Sequence, residues 1–341
     1  MKRVAILGIL AGLALTTLLV LHFGLSQVGA ALRAAGVLGL AAITAIHLAA
    51  MAVMGIAWWV VAGGSEAARG PWSFIWGRVI RDSASEVLPL SQVGGYVLGA
   101  RAVVLRGIGA ASAAATTVVD LTLECFSQIA YTALGLVLLV ELQPGATLAY
   151  PVLIGLGIAV CALAGFVLTQ QRGAGLFDRI TQRLARQWLA ALSAGAGAVQ
   201  AEIRRAYVRK GGIALCFLLH LAAWIGTSVE AWLALRLMGA PLGLGPVLVI
   251  ESLLYAIRSV AFAVPNALGV QEGAYIMLGA AFGLTPEVAL ALSLLKRGRD
   301  LLIGVPALLA WQYLEGRRFW GRAALKGVAG KPAEQPARAA D

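Results

Sequence analysis

Charge is scarce in this chain. Only 13% of its 341 residues are charged, 7% are aromatic, and there are three cysteines and three histidines. Cys125, Cys161 and Cys216 each lie in an apolar run with no CxxC spacing, which excludes a disulfide scaffold and reads as small core residues. His22, His47 and His220 show no metal-ligand spacing, so neither a metal nor a cofactor is expected. GxSxG, Walker and HExxH motifs are absent, Gly94-Gly95 alone makes no phosphate loop, and the chain is therefore not read as an enzyme. What fills the sequence instead is apolar: 60% hydrophobic residues with a mean hydropathy of +0.86. With the 41 glycines the apolar share is roughly 72%, against about 45–50% in soluble domains. A compact soluble fold cannot cover that surface, and an all-α polytopic membrane protein is the class that remains.

Apolar stretches of spanning length are Val4–Phe23, Gly36–Val61, Tyr150–Leu168 and Gly211–Leu235. About 110–140 and 286–314 are long enough to span when tilted, although each carries charges, which gives about six spans. Val4–Phe23 exceeds a signal-peptide core and is expected to stay as an anchor. With a cytoplasmic N-terminus, the inside segments carry 17 Lys and Arg and the outside loops (24–35, 141–149, 239–245) only Arg33. That bias predicts both termini on the cytoplasmic side. It also assigns the net charge of +11 to anionic headgroups at that face rather than to nucleic acid. Within the connector 172–210, Phe177, Ile180, Leu184 and Trp188 recur at helical spacing beside arginines, the pattern of a surface-lying amphipathic helix. The Ala-, Pro- and charge-rich tail 331–341 is expected to be disordered, leaving residues 1–330 as one membrane domain.

Two stretches resist a simple spanning assignment. In 72–107 a helix-length run meets Pro89, Gly94 and Gly95 and then resumes; in 246–283 the same occurs at Pro265 and Gly269. Helix, break, helix within some 35 residues predicts two re-entrant hairpins, a form tolerated at membrane depth only where protein or a wet cavity covers the broken backbone. Shifting the sequence by 176 positions places Ser83 on Ser259, Pro89 on Pro265, Gly107 on Gly283 and Glu124 on Asp300. Two repeats follow, about 36–140 and 211–314. Because their flanking spans run in opposite directions, they are inverted copies, the plan of many secondary transporters.

The charges concentrate on these repeats. Arg78, Arg81, Asp82 and Glu86 share one face of the first hairpin arm, and Glu251, Tyr255 and Arg258 do so in the second. Thr117, Asp120, Glu124, Gln128 and Tyr131 form a polar stripe on the third span; Ser293, Lys296, Arg297, Asp300 and Gly304 form its counterpart on the last; Glu230 and His220 add to the fifth. Exposed to lipid, 17 such charges would cost about 50 kcal/mol, so most must be paired or hydrated inside the bundle. Two readings stay open: salt-bridge networks that pin the hairpins, or a polar cavity for a lipid headgroup. The cavity residues would be Arg81, Asp82, Glu86, Asp120, Glu124, Arg258, Glu272, Lys296, Arg297 and Asp300, with arginines on phosphate and carboxylates on cationic or hydroxyl groups.

The run RDSASEVLPLSQVGG (81–95) resembles the first signature of the flippase-like, lysylphosphatidylglycerol synthase transmembrane family, and VPNALGVQEG (264–273) resembles the second. VVDLTLE (118–124) and SLLKRGRD (293–300) are most similar to its hopanoid-biosynthesis-associated branch. The resemblance covers nearly the whole chain. It implies an inner-membrane protein with two re-entrant hairpins, whose partners are membrane lipids (a hopanoid or a phospholipid) and the enzymes of lipid biosynthesis. Relatives that move aminoacylated phospholipids fuse this region to a soluble aminoacyl-transferase domain, so lysyl transfer is not carried over. The resemblance leads to lipid translocation or handling. The alternatives are a non-transporting scaffold for lipid-modifying enzymes and, less favoured, an intramembrane lipid-modifying enzyme.

Overall fold

A computed structural model of the chain describes residues 17–19, 21–22, 24–64, 69–88, 92–144, 149–172, 189–261 and 264–329. These residues are helical with short connections, and no strand occurs among them. The helices are α1 (Leu25–Ala62), α2 (Trp72–Val87), α3 (Gln92–Leu105), α4 (Ala110–Leu142), α5 (Ala149–Arg172), α6 (Leu189–Val208), α7 (Lys210–Leu237), α8 (Leu244–Val260), α9 (Val270–Ala280) and α10 (Pro286–Ala329), with a 3₁₀ turn at Pro265–Ala267 before α9.

Three helices, α1, α4 and α7, are long and apolar enough to cross a membrane. They contain the stretches 36–61, 110–140 and 211–235 identified from hydropathy. Tyr150–Leu168 falls in α5, whose continuous apolar part is Leu153–Gly165. The 286–314 stretch is one helix, α10, interrupted chemically by Lys296, Arg297, Arg299 and Asp300 rather than in its backbone. Val4–Phe23 lies mostly outside the described residues, as do Phe177–Trp188 and the tail 331–341. Two expectations are corrected. Residues 25–35, read as an outside loop, are helical and join α1 across a break at Gly36 (φ 61°, ψ −168°). The described part of the connector, α6, does not lie free: Ile203 and Ala206 are buried in a cluster with Ala115, Val119 and Leu123 of α4.

The burial pattern is inside out relative to a soluble protein. On α10, Arg299 is 4% exposed while Leu301 and Leu302 are 54% and 52% exposed. Val137 and Val140 on α4 and Leu215 and Leu218 on α7 also face outward. In a bilayer an outward leucine costs nothing and an outward arginine costs several kcal/mol (~3), so the sequence sorts its side chains accordingly.

The repeat is visible in the helices themselves. Moving α4 by 176 positions puts its first residue, Ala110, on Pro286, the first residue of α10. Gly63 and Gly239, again 176 apart, both take the left-handed conformation (φ 46° and 76°), as do Gly107 and Gly283 (φ 93° and 78°). These are the turns that end corresponding helices, and glycine adopts them without the Cβ clash other residues suffer. The units α1–α4 and α7–α10 pack by mutual exchange. Helix α4 lies on α8 while α10 lies on α2, and α4 lies on α7 while α10 lies on α1. The corresponding helices α1 and α7 pack on each other in opposite directions, with Gly39 beside Leu237 and Gly212 beside Val60. Two copies whose equivalent helices are antiparallel are inverted copies.

Candidate functional site

In the first unit the cations stand on α2 and the carboxylates on α4. Arg78 donates from Nε to Asp82 Oδ2 (2.7 Å) and from Nη2 to Glu124 Oε1 (2.8 Å). Arg81 donates from Nη1 to Asp120 Oδ2 (3.1 Å) and from Nη2 to Glu124 Oε2, and its guanidinium stacks over the Tyr96 ring of α3 at 4.4 Å. Arg78, Arg81, Asp120 and Glu124 are all buried. Position decides this set: 78 and 81, then 120 and 124, are one helical turn apart, so two turns of α2 face two turns of α4.

The second unit carries the opposite arrangement, with carboxylates on α7, α8 and α9 and cations on α10. Lys296 Nζ donates to Glu251 Oε2 (2.7 Å), whose Oε1 accepts from the Tyr275 hydroxyl (2.6 Å). Lys296 also lies 5.9 and 5.7 Å from the ring centres of Tyr255 and Tyr275. Arg299 donates to Glu230 on α7 and to Asp300 Oδ1 (2.6 Å). Arg297 donates from Nε to Glu272 Oε1 (2.6 Å). Glu272 further accepts from the backbone N–H of Gly269 (2.8 Å) and from Ser293 (3.1 Å), fastening the start of α9 to α10. At the break before it, Asn266 and Ala267 hold left-handed backbone (φ 50° and 45°), strain that this network offsets.

The two broken arms meet. Arg258, near the end of α8, donates to both Glu86 oxygens (2.9 and 3.1 Å), and Asn266 Nδ2 donates to the Glu86 backbone carbonyl (2.6 Å). With side chains 15% and 24% exposed, this pair is more open than the buried pairs within each unit.

Two histidines cross between the units. His220 on α7 bonds Asp120 Oδ1 through Nε2 (2.9 Å), and His47 on α1 bonds Glu230 Oε2 through Nδ1 (3.1 Å). Arg78 Nη1, Ser83 Oγ, Asn266 Oδ1 and His220 Nδ1 are buried without a hydrogen-bond partner among the described residues.

The ten residues named as one headgroup cavity therefore fall into three groups. Arg81, Asp82, Asp120 and Glu124 come together; Glu86 and Arg258 join the two arms; Glu272, Lys296, Arg297 and Asp300 lie in the second unit. Of the residues named as breaks, Gly269 (φ 80°) and the turn beginning at Pro265 lie at the second break. Pro89 lies outside the described residues. Gly94 and Gly95 do not break the chain; they lie in the first turn of α3, and the helix ends earlier, at Leu88 (ψ 147°). A Cβ on Gly95 would fall 2.0 Å from Ser85 Oγ and 2.6 Å from the Arg81 carbonyl, so the small residue is there for α3 to lie close on α2. Arg78, Glu230, Glu251, Arg299, His47 and His220 were not among the ten. For Arg78 a signal existed, one turn before Asp82; for His47, alone in an apolar helix, none did.

Asp120, Cys216 and His220 bring an oxygen, a sulfur and a nitrogen within 4.8 Å of one another. Arg81 holds the other oxygen of the same carboxylate, and its fixed positive charge opposes a divalent cation at that point. Direct hydrogen bonding accounts for the contact.

Residues 5–307 match the family described as "Lysylphosphatidylglycerol synthase TM region". No curated protein and no solved structure matches the chain.

Proposed function

Because the chain belongs to the lysylphosphatidylglycerol synthase transmembrane-region family, we propose that it moves a membrane lipid between leaflets without chemically altering it. The headgroup is taken into the polar seam between the two inverted units, and the acyl or polycyclic body stays in the bilayer. The carrying observation is the Glu86–Arg258 pair. It ties the two broken arms together, is partly open, and leads on either side to a buried charged group. Arg258 and Arg81 are suited to a phosphate or other anionic group, and Glu86 to an ammonium or hydroxyl. Alternating access follows from the inverted repeat, because each unit can take the packing of the other. The two arms act as re-entrant hairpins in this reading. The Lys and Arg bias supports an inner membrane with both termini cytoplasmic, and the resemblance of 118–124 and 293–300 favours a hopanoid or phospholipid as cargo.

Fluorescent lipids in proteoliposomes test this. The protein should speed the exchange of at least one native lipid over protein-free vesicles, and Arg258→Met should slow it at least tenfold. No acceleration with any native lipid overturns the reading. A second reading, a non-transporting scaffold for lipid enzymes, draws on one observation: both oxygens of Glu124 and of Glu272 are taken by internal donors, as structural pins require. Under that reading Glu124→Gln lowers the amount of folded protein and has no separate functional effect.

A further inference from the structure

Charge is distributed unevenly between the inside of each unit and the boundary between units. Every buried pair of a Lys or Arg with a carboxylate lies within one unit: Arg78 and Arg81 with Asp120 and Glu124 in the first, Lys296 with Glu251 and Arg299 with Glu230 in the second. The buried carboxylates bonded across the boundary are Asp120, reached by His220, and Glu230, reached by His47. Counting charges then gives the same shortfall twice. The first group sets Arg78 and Arg81 against Asp82, Asp120 and Glu124. The second sets Lys296, Arg297 and Arg299 against Glu230, Glu251, Glu272 and Asp300. Each is one positive charge short, and each holds one histidine against a carboxylate. Glu86 and Arg258 cancel each other. An uncompensated carboxylate at this depth costs several kcal/mol (~3–5), so the missing charge has to be supplied.

We propose that His47 and His220 are two proton-binding sites that complete the charge of the two groups, and that their protons are the coupling ions of transport. The coupling half rests on the translocation reading given above. The groups facing His220 are Asp120 and Glu124 on α4, Arg78 and Arg81 on α2, and Cys216 on its own helix. Facing His47 are Glu230 on α7 and, through it, Arg299, Lys296 and Asp300 on α10. The arrangement makes the proton a tie between units. With both imidazoles charged, α7 is bound to α4, and α1 to α7, by charge-assisted hydrogen bonds. Loss of a proton leaves one group with a net negative charge and weakens a bond that crosses the moving boundary, while the arginine pairs inside each unit travel intact. His47, with a side chain 19% exposed, is the entry point from outside the bundle, whereas His220 is fully enclosed. His220 Nδ1, buried without a partner among the described residues, is the position at which its proton would be handed on.

Two measurements on the full chain in lipid nanodiscs and proteoliposomes decide the matter. Nitrogen-15 spectra of histidine-labelled protein at pH 7 should show two imidazolium side chains, assigned by their loss in His47→Gln and His220→Gln. The near-isosteric Glu230→Gln and Asp120→Asn should return His47 and His220, respectively, to the neutral form in place, which covers the case in which a histidine variant fails to fold. Neutral imidazoles at both positions overturn the proposal. In vesicles of native lipid, an imposed pH gradient should change the translocation rate at least threefold on reversal, and each histidine variant should abolish that response. Translocation indifferent to the gradient, with both imidazolium signals present, overturns the coupling. If the wild-type protein moves no lipid under any gradient, the translocation reading and its coupling both fall, and the spectra still judge the histidines on their own.

Discussion

The two units share a backbone and oppose each other in charge. On α2 the paired groups are cationic and on α4 anionic; on α8, at Glu251, the group is anionic, and on α10 cationic. Sequence position makes the reversal literal, because Asp120 and Lys296 occupy equivalent places 176 residues apart. An ion pair is indifferent to which helix carries which sign, provided both partners change together. The repeat has therefore kept its turns, Gly63 with Gly239 and Gly107 with Gly283, and replaced its charges. Pairs confined to one unit also leave the units free to shift against each other without pulling a buried charge from its partner.

The comparison breaks first where one side chain serves two partners. Arg81→Met strands Asp120 and Glu124 together, and the folded yield in detergent should collapse, with a loss of about 3–5 kcal/mol or more. Lys296→Met strands only Glu251, which keeps the Tyr275 hydroxyl, and should cost less, about 2–3 kcal/mol. Equal losses would mean that the two groups are not different in kind; thermal unfolding of both variants decides. Next in size is Gly95→Val, which forces α3 off α2 and should cost about 1–3 kcal/mol. Its counterpart Gln271→Ala removes one bond to Ser293 and should cost about 1 kcal/mol. The smallest effect on stability belongs to the pair that joins the units. Glu86→Gln should change stability by less than about 1 kcal/mol, since its partner remains partly solvated, and a double-mutant cycle with Arg258→Met should show coupling in translocation rate rather than in melting temperature. A coupling seen only in melting would make Glu86–Arg258 a pin like the others.

Much of this architecture was legible in the residues. The break at Gly36, where the second apolar stretch was placed, and the match of Ala110 to Pro286 follow from hydropathy and from a repeat of 176. Local signals explain why: a run of leucines and alanines long enough to span needs no tertiary information. Gly94-Gly95 misled because a paired glycine has two uses, a turn or a close approach, and only the neighbouring helix distinguishes them. The charged groups were located by stripe, yet their partners were not. Spacing of three or four places residues on a face, but nothing in it says which face of another helix lies opposite. Lys296 thus looked like part of one cavity with Asp120, although each turned inward to its own unit. His47 and Glu230, 183 positions apart, gave no local sign of meeting.

Helix α5 contributes no charge to either group, and yet it decides the sign of the second copy. Gly107 lies beside Arg69, so the end of α1, the α2–α3 hairpin and the start of α4 share one rim of the bundle. At the opposite rim Leu142 of α4 lies beside Gly245. To begin α7 next to Gly63, where Arg209 reaches the Val60 carbonyl (3.5 Å), the chain must come back across. The 24 residues of α5, about 36 Å of helix, are the return stroke. The orientation of the second copy is therefore a matter of parity. With an even count of full crossings between the two starts, α7 runs against α1. Remove one, and the same sequence would lie parallel to its twin, with no face to pack on.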